Sequence, residues 1–282
     1  MISLKQQIAS QLKSVYPPDE AEALAWWILE ETTGLTRTQI ITGCKDTTNI
    51  SNLQEIIDRL LNFEPIQYIF GHTLWNGLDL KVTPATLIPR PETAELVTTI
   101  SNCFKHYQTI SNLRVLDIGT GSGCIAIALK KAHPEWQITG IDLSQDAIRI
   151  AKENAIRNDV NINFQAADIF DFNVENHKSH TTNHQYEIVV SNPPYIRECE
   201  KKTMRPNVLN FEPHTALFVP DSDPLRFYRH IAALRLGKLL FFEINEVFAP
   251  EISAILHELG YSDIQTTRDY YGKPRIIQGR MA

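Results

Sequence analysis

Leu113-Arg114-Val115-Leu116-Asp117-Ile118-Gly119-Thr120-Gly121-Ser122-Gly123-Cys124 is the stretch that decides the fold of this 282-residue chain. Its first six residues are an apolar, β-branched run and read as a buried strand. Gly119, Gly121 and Gly123 let the backbone turn tightly and come close to a ligand. Residues 124–131 follow as a helix whose N-terminus faces that turn. The pattern then repeats. A strand at 136–141 ends at Asp142, a helix spans 146–157, and a strand at 162–167 ends at Asp168-Ile169. Strand, helix, strand, helix, strand is half of a doubly wound α/β fold with a parallel sheet. Further strands read at 186–190, 238–244, 261–267 and 275–278, with a helix at 250–259.

Outward from this centre, residues 1–62 read as four helices. Leu4, Ile8, Leu12 and Val15 recur at helical spacing. Pro17-Pro18 breaks the chain and offers Asp19 as an N-cap, and Ser51 is placed to cap the fourth helix. The adjacent Trp26 and Trp27 read as core. Residues 67–75 and 78–82 are β-rich and flank Asn76-Gly77, the strongest short hairpin signal. The expected organisation is a helical domain at 1–64, a β-hairpin linker at 65–86 and an α/β domain at 87–282.

The bulk numbers narrow the class. A net charge of -6 announces no phosphate-binding face. Cys44, Cys103, Cys124 and Cys199 are scattered without CxxC spacing, as in a reducing compartment, and point to no structural zinc. His177, His180 and His184 lie in a polar stretch with no carboxylate cluster and read as a solvated loop, so no metal is expected. The N-terminus does not read as a signal peptide, and no apolar run is long enough to span a membrane. A cytoplasmic monomer is expected.

The chemistry sits at strand ends. The glycine turn and Asp142, which can accept both hydroxyls of a ribose, together point to a nucleotide-like ligand. They leave a dinucleotide and S-adenosylmethionine both open. Asp168 suits an adenine amino group, with Ile169 as an apolar wall. The strand at 186–190 then ends in Ser191-Asn192-Pro193-Pro194-Tyr195. The prolines stop the strand and leave an Asn and a Tyr on a stiff turn. The Asn192 amide oxygen and the Pro193 carbonyl can accept from a planar –NH₂ group, on which Tyr195 can stack. Two acceptors on a poor nitrogen nucleophile favour pyramidalisation as charge develops, which selects a sulfonium methyl donor. No side chain reads as a general base.

Asp117 to Leu129, with Asp142, Asp168 and Ser191-Asn192-Pro193-Pro194-Tyr195-Ile196, resembles class I S-adenosylmethionine-dependent methyltransferases acting on planar nitrogen. Pro65-Ile66-Gln67-Tyr68-Ile69-x-Gly71, Leu87-Ile88-Pro89-Arg90-Pro91-Glu92-Thr93 and Phe211-Glu212-Pro213-x-x-Ala216-Leu217 are similar to the HemK/PrmC family. That resemblance spans nearly the whole chain. It implies a Rossmann-like, mostly parallel seven-stranded sheet, with the helical domain at 1–64 recognising peptide chain release factors. The implied activity is methyl transfer from S-adenosylmethionine to the amide nitrogen of the glutamine in their Gly-Gly-Gln motif. Cofactor contacts are implied at Gly119, Thr120, Gly121, Ser122, Gly123, Asp142, Asp168, Ile169 and Asn192. Catalytic roles fall on Asn192, Pro193 and Tyr195, and substrate contacts on these with Pro194, Arg90 and Glu92. The chain departs from the family pattern at Ala94, at residues 220–224 and at Asn245-Glu246. A ribosomal-protein glutamine is the sister alternative. An adenine-N6 methyltransferase would need a basic face that the composition lacks, and a mere S-adenosylmethionine sensor need not keep Asn192 and Tyr195.

Overall fold

The computed structural model describes residues 1–43, 50–104, 112–171 and 185–281, so Cys44, His177, His180 and His184 lie outside the described residues. The chain forms two compact units. One is Met1–Gly71 with Arg205–Phe211; the other is His72–Met204 with Glu212–Ala282. No described helix is long and apolar enough to cross a membrane.

The first unit holds α1 (Ile2–Leu12), α2 (Pro18–Thr33), α3 (Arg37–Ile41), α4 (Leu53–Leu61) and α5 (Ile66–Phe70). Ile8, Leu12, Ala21, Ala25, Ile28, Leu29, Ile57 and Leu60 make its core at helical spacing. The Tyr16 hydroxyl donates to the Leu60 carbonyl at 2.8 Å. Both capping expectations change. Pro17 occupies the N-cap of α2, Pro18 its first turn, and Asp19 sits inside the helix, where its charge favours the N-terminal dipole. Asn52, not Ser51, precedes α4, in the left-handed conformation that Asn tolerates. Trp26 and Trp27 are half-buried, and Lys5 and Arg37 each lie 5.6 Å over the Trp26 ring. Residues 66–70 wind into a helical turn, although 67–70 were expected to begin a strand. Pro65 fixes the entry at φ -59° and Gly71 ends the turn at φ 76°, and this bracket overrides the β-propensity between them.

The second unit opens on the hairpin β1 (His72–Trp75) and β2 (Leu78–Lys81), in register Trp75↔Leu78. Asn76 (φ 48°) and Gly77 (φ 76°) both take the positive φ of a type I′ turn. Then come α6 (Thr93–Phe104), β3 (Arg114–Ile118), α7 (Cys124–Ala132), β4 (Gln137–Asp142), α8 (Gln145–Arg157), β5 (Asn163–Ala166), β6 (Tyr186–Ser191) and β7 (Ile196–Arg197). After α9 (Pro206–Phe211), which belongs to the first unit, follow β8 (Phe218–Val219), α10 (Arg226–Leu234), β9 (Gly237–Glu243), α11 (Ala249–Glu258), β10 (Tyr261–Arg268) and β11 (Pro274–Met281).

Seven strands form one sheet in the order β10-β11-β9-β6-β3-β4-β5. Five are parallel, and β11 runs antiparallel to both its neighbours. Leu96, Ile100, Ile127, Leu129 and Trp136 cover one face of the sheet. Tyr228, Ile231, Ile252 and Leu256 cover the other. This is the doubly wound architecture expected, and the strand order reverses between β3 and β6. Crevices that bind ligands open beyond the carboxyl ends of such strands.

Two buried polar side chains hold the βα turn after β3. Thr120 Oγ1 donates to Asp117 Oδ2 at 2.6 Å, and Asp117 is fully buried. Asn154 of α8, equally buried, accepts from the Lys81 N–H at 2.6 Å and donates to the Lys81 and Ser122 carbonyls at 2.9 Å each. One amide thus ties β2, α8 and the glycine turn together. Replacing it strands the buried Ser122 carbonyl, at about 1–3 kcal/mol, and removes the partner of two part-buried groups of Lys81. Asn154→Ala is expected to cost at least ~2 kcal/mol in urea unfolding; a loss under half that would show the clamp to be dispensable.

Asp117 supplies a pH dependence. Burial pushes its carboxyl from 3.8 up to about 7, against the Thr120 hydrogen bond. The folded state therefore favours the neutral form. The stability this adds is whole below 3.8 and is lost as pH rises to about 7. Asp117→Asn, unfolded without ligand across that range, should gain stability relative to wild type as pH rises. A pH-independent difference would exclude Asp117 as the source.

Candidate functional site

The carboxyl edge of the parallel strands carries the residues singled out in the sequence for ligand binding except Arg90 and Glu92, which lie on the segment before α6. Ile118 pairs with Ile141 and with Ser191, and Asp142 with Ala166, so the turns after β3, β4, β5 and β6 emerge side by side. Ser191 Oγ donates to the Ile118 carbonyl at 2.7 Å and fixes the two strand ends flanking the switch point.

The Gly119 and Thr120 N–H groups both donate to the Ile141 carbonyl at 2.9 Å, which folds the glycine turn back over β4. Gly119 and Gly121 take φ 71° and 54°, and a Cβ at either would meet no atom of the chain within 4 Å. The turn is therefore open on its outer side, and glycine serves there for φ and for close backbone approach. Asp142, half-buried, accepts from the Gly121 N–H at 2.8 Å on one oxygen and from the Ser144 N–H at 2.9 Å on the other. A carboxylate has about four acceptor positions, so two remain for a diol. Burial raises its pKa, and these two donors pull the other way.

Asp168 Oδ1 accepts from the Phe170 N–H at 2.9 Å in the short turn after β5, and Ile169 beside it is buried. Its placement at the same edge matches the expectation, while this bond also gives it a local structural role.

Beyond β6, Asn192 is half-buried, Pro193 buried, and Pro194 and Tyr195 half-buried. Asn192 Nδ2 donates to Thr93 Oγ1 at 3.2 Å, and Thr93 Oγ1 donates to Glu243 Oε2 at 2.7 Å. The Tyr195 hydroxyl donates to Glu243 Oε1 at 3.2 Å. Glu243 closes β9 at 1% exposure. Burial raises its pKa, opposed by Thr93, Tyr195 and Arg275. Burial and the Glu243 charge push the Tyr195 phenol up, so it stays protonated. Thr93 and Glu243 escaped the sequence reading as site residues. The available signal was a carboxylate within the apolar run 239–244, where an unpaired charge would be costly.

Arg90 and Glu92 separate. Arg90 pairs with Glu212 at 2.6 Å, whose side chain is 1% exposed and whose other oxygen accepts from the Ile88 N–H at 3.1 Å. Trp75 Nε1 donates to the Arg90 carbonyl at 2.7 Å, fastening the hairpin to the same segment. Arg90 thus braces the segment leading to Thr93. Glu92 acts on the site through charge and raises the Glu243 pKa. Asn245, a departure from the family pattern, donates to the Tyr195 carbonyl at 3.4 Å. Among the described residues, no group of His, Cys, Asp and Glu could hold a metal ion.

Comparison with known proteins gives the family. Residues 3–71 match the family described as PrmC N-terminal domain, and residues 96–209 the Methyltransferase small domain. The release factor glutamine methyltransferase of Bacteroides thetaiotaomicron is 41% identical over 282 residues, covering 96% of each chain. That of Flavobacterium psychrophilum is 38% identical over 97% of this chain and 96% of its own. Among solved structures, the human METTL16 catalytic domain in complex with a MAT2A 3′UTR hairpin shares the fold at TM-score 0.56 and 16% identity, over 73% of this chain and 76% of that one. The human methyltransferase 10 domain containing protein does so at 0.54 and 15%, over 84% and 98%. On sequence identity along its full length, the chain belongs to the release factor glutamine methyltransferase family.

Proposed function

We infer that this chain transfers a methyl group from S-adenosylmethionine to the side-chain amide nitrogen of the glutamine in the Gly-Gly-Gln motif of release factors. The observation that carries the reading is the Asn192-Pro193 acceptor pair standing at the topological switch point beside an open glycine turn. The full-length relatives named as release factor glutamine methyltransferases support the choice of substrate.

The residues fit the cofactor. The open face of residues 119–123 gives a backbone approach for its amino-acid end. Asp142 keeps acceptor capacity for the ribose hydroxyls. Asp168 and Ile169 are placed for the adenine, and Asn192 borders both ligands. When bound, S-adenosylmethionine supplies an electrophilic methyl on a sulfonium centre.

The chain itself contributes positioning and electrostatics. An amide nitrogen is a poor nucleophile because its lone pair is delocalised. Asn192 Oδ1 and the Pro193 carbonyl accept its two N–H groups and hold it as positive charge develops. Pro193 and Pro194 stiffen the turn that presents both acceptors. The Tyr195 ring stacks on the amide plane. Arg90, through Glu212, holds the segment from which Thr93 reaches Asn192, and Glu92 lies at the rim. The helical unit at the N-terminus recognises the release factor. The net charge of -6 favours a protein substrate over nucleic acid, and a cytoplasmic monomer suffices for the reaction.

The test is methyl transfer from labelled S-adenosylmethionine to unmodified release factor, beside its Gly-Gly-Asn mutant, duplex DNA and ribosomal protein. Label only on the wild-type factor is expected; label on DNA or ribosomal protein instead would assign another substrate. Asn192→Ala should lower kcat by at least roughly 10²-fold, as loss of a preorganised electrostatic partner does. Cofactor affinity measured by calorimetry should stay within about threefold, since the turn and Asp142 carry most of it. Full transfer by that variant would refute the mechanism. Deleting residues 1–62 is expected to raise KM for the release factor without changing cofactor affinity; an unchanged KM in a folded truncation would remove the recognition role.

A further inference from the structure

An Asn amide is nearly symmetric in shape and opposite in polarity at its two ends. Its oxygen accepts and its nitrogen donates, so only one of its two orientations can hold a substrate N–H. Something in the chain must therefore choose the orientation of Asn192. The hydrogen bonds around it define a directed relay. Asn192 Nδ2 donates to Thr93 Oγ1 at 3.2 Å. Thr93 has a single hydroxyl proton, and it goes to Glu243 Oε2 at 2.7 Å. The other carboxylate oxygen receives the Tyr195 proton at 3.2 Å. An ionised carboxylate only accepts. While Glu243 is ionised, Thr93 turns lone pairs alone toward Asn192, and only the –NH₂ end of the amide satisfies them. Oδ1 is thereby turned away from Thr93.

We propose that Glu243 is a positioning residue that, acting through Thr93, fixes the amide polarity of Asn192 so that Oδ1 faces the substrate nitrogen, and through the Tyr195 hydroxyl fixes the ring beside it. This rests on the proposed glutamine reaction and adds to it the group that sets the acceptor's direction. A protonated Glu243 can donate to Thr93. Thr93 is then free to donate to Asn192, and the amide can turn its –NH₂ toward the substrate, where two donors would meet.

The charge on Glu243 is set by groups from every side. Arg275 of β11 favours it, although Arg275 is itself held by buried Asp269 at 3.0 Å. Glu92, from the segment before α6, opposes it. Tyr195 donates to it, and Tyr228 of α10 donates to its main-chain carbonyl at 3.2 Å. Cys124 of α7 feels its charge, and burial holds that thiol protonated. Burial outweighs the favourable partners and raises the Glu243 pKa. The ionised form, and with it the correct Asn192 polarity, is lost as pH falls through that raised value. The acid limb of kcat/KM, which reports the ligand-free enzyme, should therefore be displaced upward from that of an ordinary glutamate.

The experiment is steady-state transfer to release factor across pH, with cofactor affinity and thermal unfolding recorded for each variant. Thr93→Ser, which keeps the hydroxyl, is expected to hold kcat within about threefold. Thr93→Val, of like shape without it, should lose about 10- to 100-fold in kcat, less than a direct electrostatic partner costs, with cofactor affinity unchanged. Glu243→Gln has nothing to titrate, so its acid limb should vanish. The Thr93→Val/Glu243→Gln double variant should lose clearly less than the two single losses combined, because Glu243 reaches Asn192 only through Thr93 and adds to it only what it does through Tyr195. Unchanged kcat in Thr93→Val, an acid limb that survives in Glu243→Gln, or additive losses in the double variant would each overturn the relay. Should Thr93→Val fail to fold, the acid limb of Glu243→Gln decides alone. A wild-type chain that labels nothing, or an Asn192→Ala chain as fast as wild type, overturns the glutamine reading itself and the relay with it.

Discussion

The hydrogen bond from Ser191 Oγ to the Ile118 carbonyl spans the one gap on which the architecture turns. β3 and β6 are neighbours, yet successive strands are added outward from them in opposite directions. The chain leaves β3 toward one face of the sheet and β6 toward the other, which opens a crevice beyond their ends. A serine hydroxyl there satisfies a carbonyl that the diverging chain would otherwise orphan at a position closed to water. With the two strand ends locked at 2.7 Å, the glycine turn and the Asn192 turn inherit a fixed separation. Every later feature of the site is a side chain added to that frame.

What surrounds the frame is unusually polar for a buried region. Asp117, Asn154, Glu212 and Glu243 are all at or below 4% exposure. Each ties a loop rather than filling space. Glu212 accepts from both Ile88 and Arg90 and so orders the proline-rich segment leading into α6. Asn154 does the same for β2 and the glycine turn. Loops cannot be held by apolar packing alone, because their backbone groups need partners. Buried amides and carboxylates supply those partners with direction as well as energy.

Much of this was legible in the sequence. The five parallel strands, the glycine turn and the placement of Asp142 and Asn192 at one edge follow from apolar runs punctuated by Gly, Asp and Pro. The hairpin followed from Asn76-Gly77. Residues 67–70 misled, because Tyr, Ile and Phe favour strand and the decisive constraint came from Pro65 and Gly71 at the ends. Thr93, Glu243 and Arg275 could not be joined from sequence. Thr93 lies 150 positions before Glu243, and the partnership exists only because β9 and β11 close beside the N-terminus of α6. Asn154 left a trace: it stands on the apolar stripe formed by Ala147, Ile150 and Ala151. A polar residue at such a position announces a buried hydrogen-bonding role without naming its partners.

Asp117 and Glu243, two of the raised carboxyl groups of the unit, differ in what they do for it. For Asp117, burial outweighs the bonds it accepts from Thr120 and the Ala126 backbone and pushes it up to about 7, so its neutral form serves the fold. Glu243 receives Thr93 and Tyr195, which reward the ionised form against its burial. Burying a carboxylate deeply enough to raise its pKa costs stability, and an apolar residue at the end of β9 would avoid that cost. An apolar residue could not distinguish the two ends of the Asn192 amide. Stability is thus given up where hydrogen-bond direction is needed, which is the usual sign of a site shaped for chemistry rather than for packing.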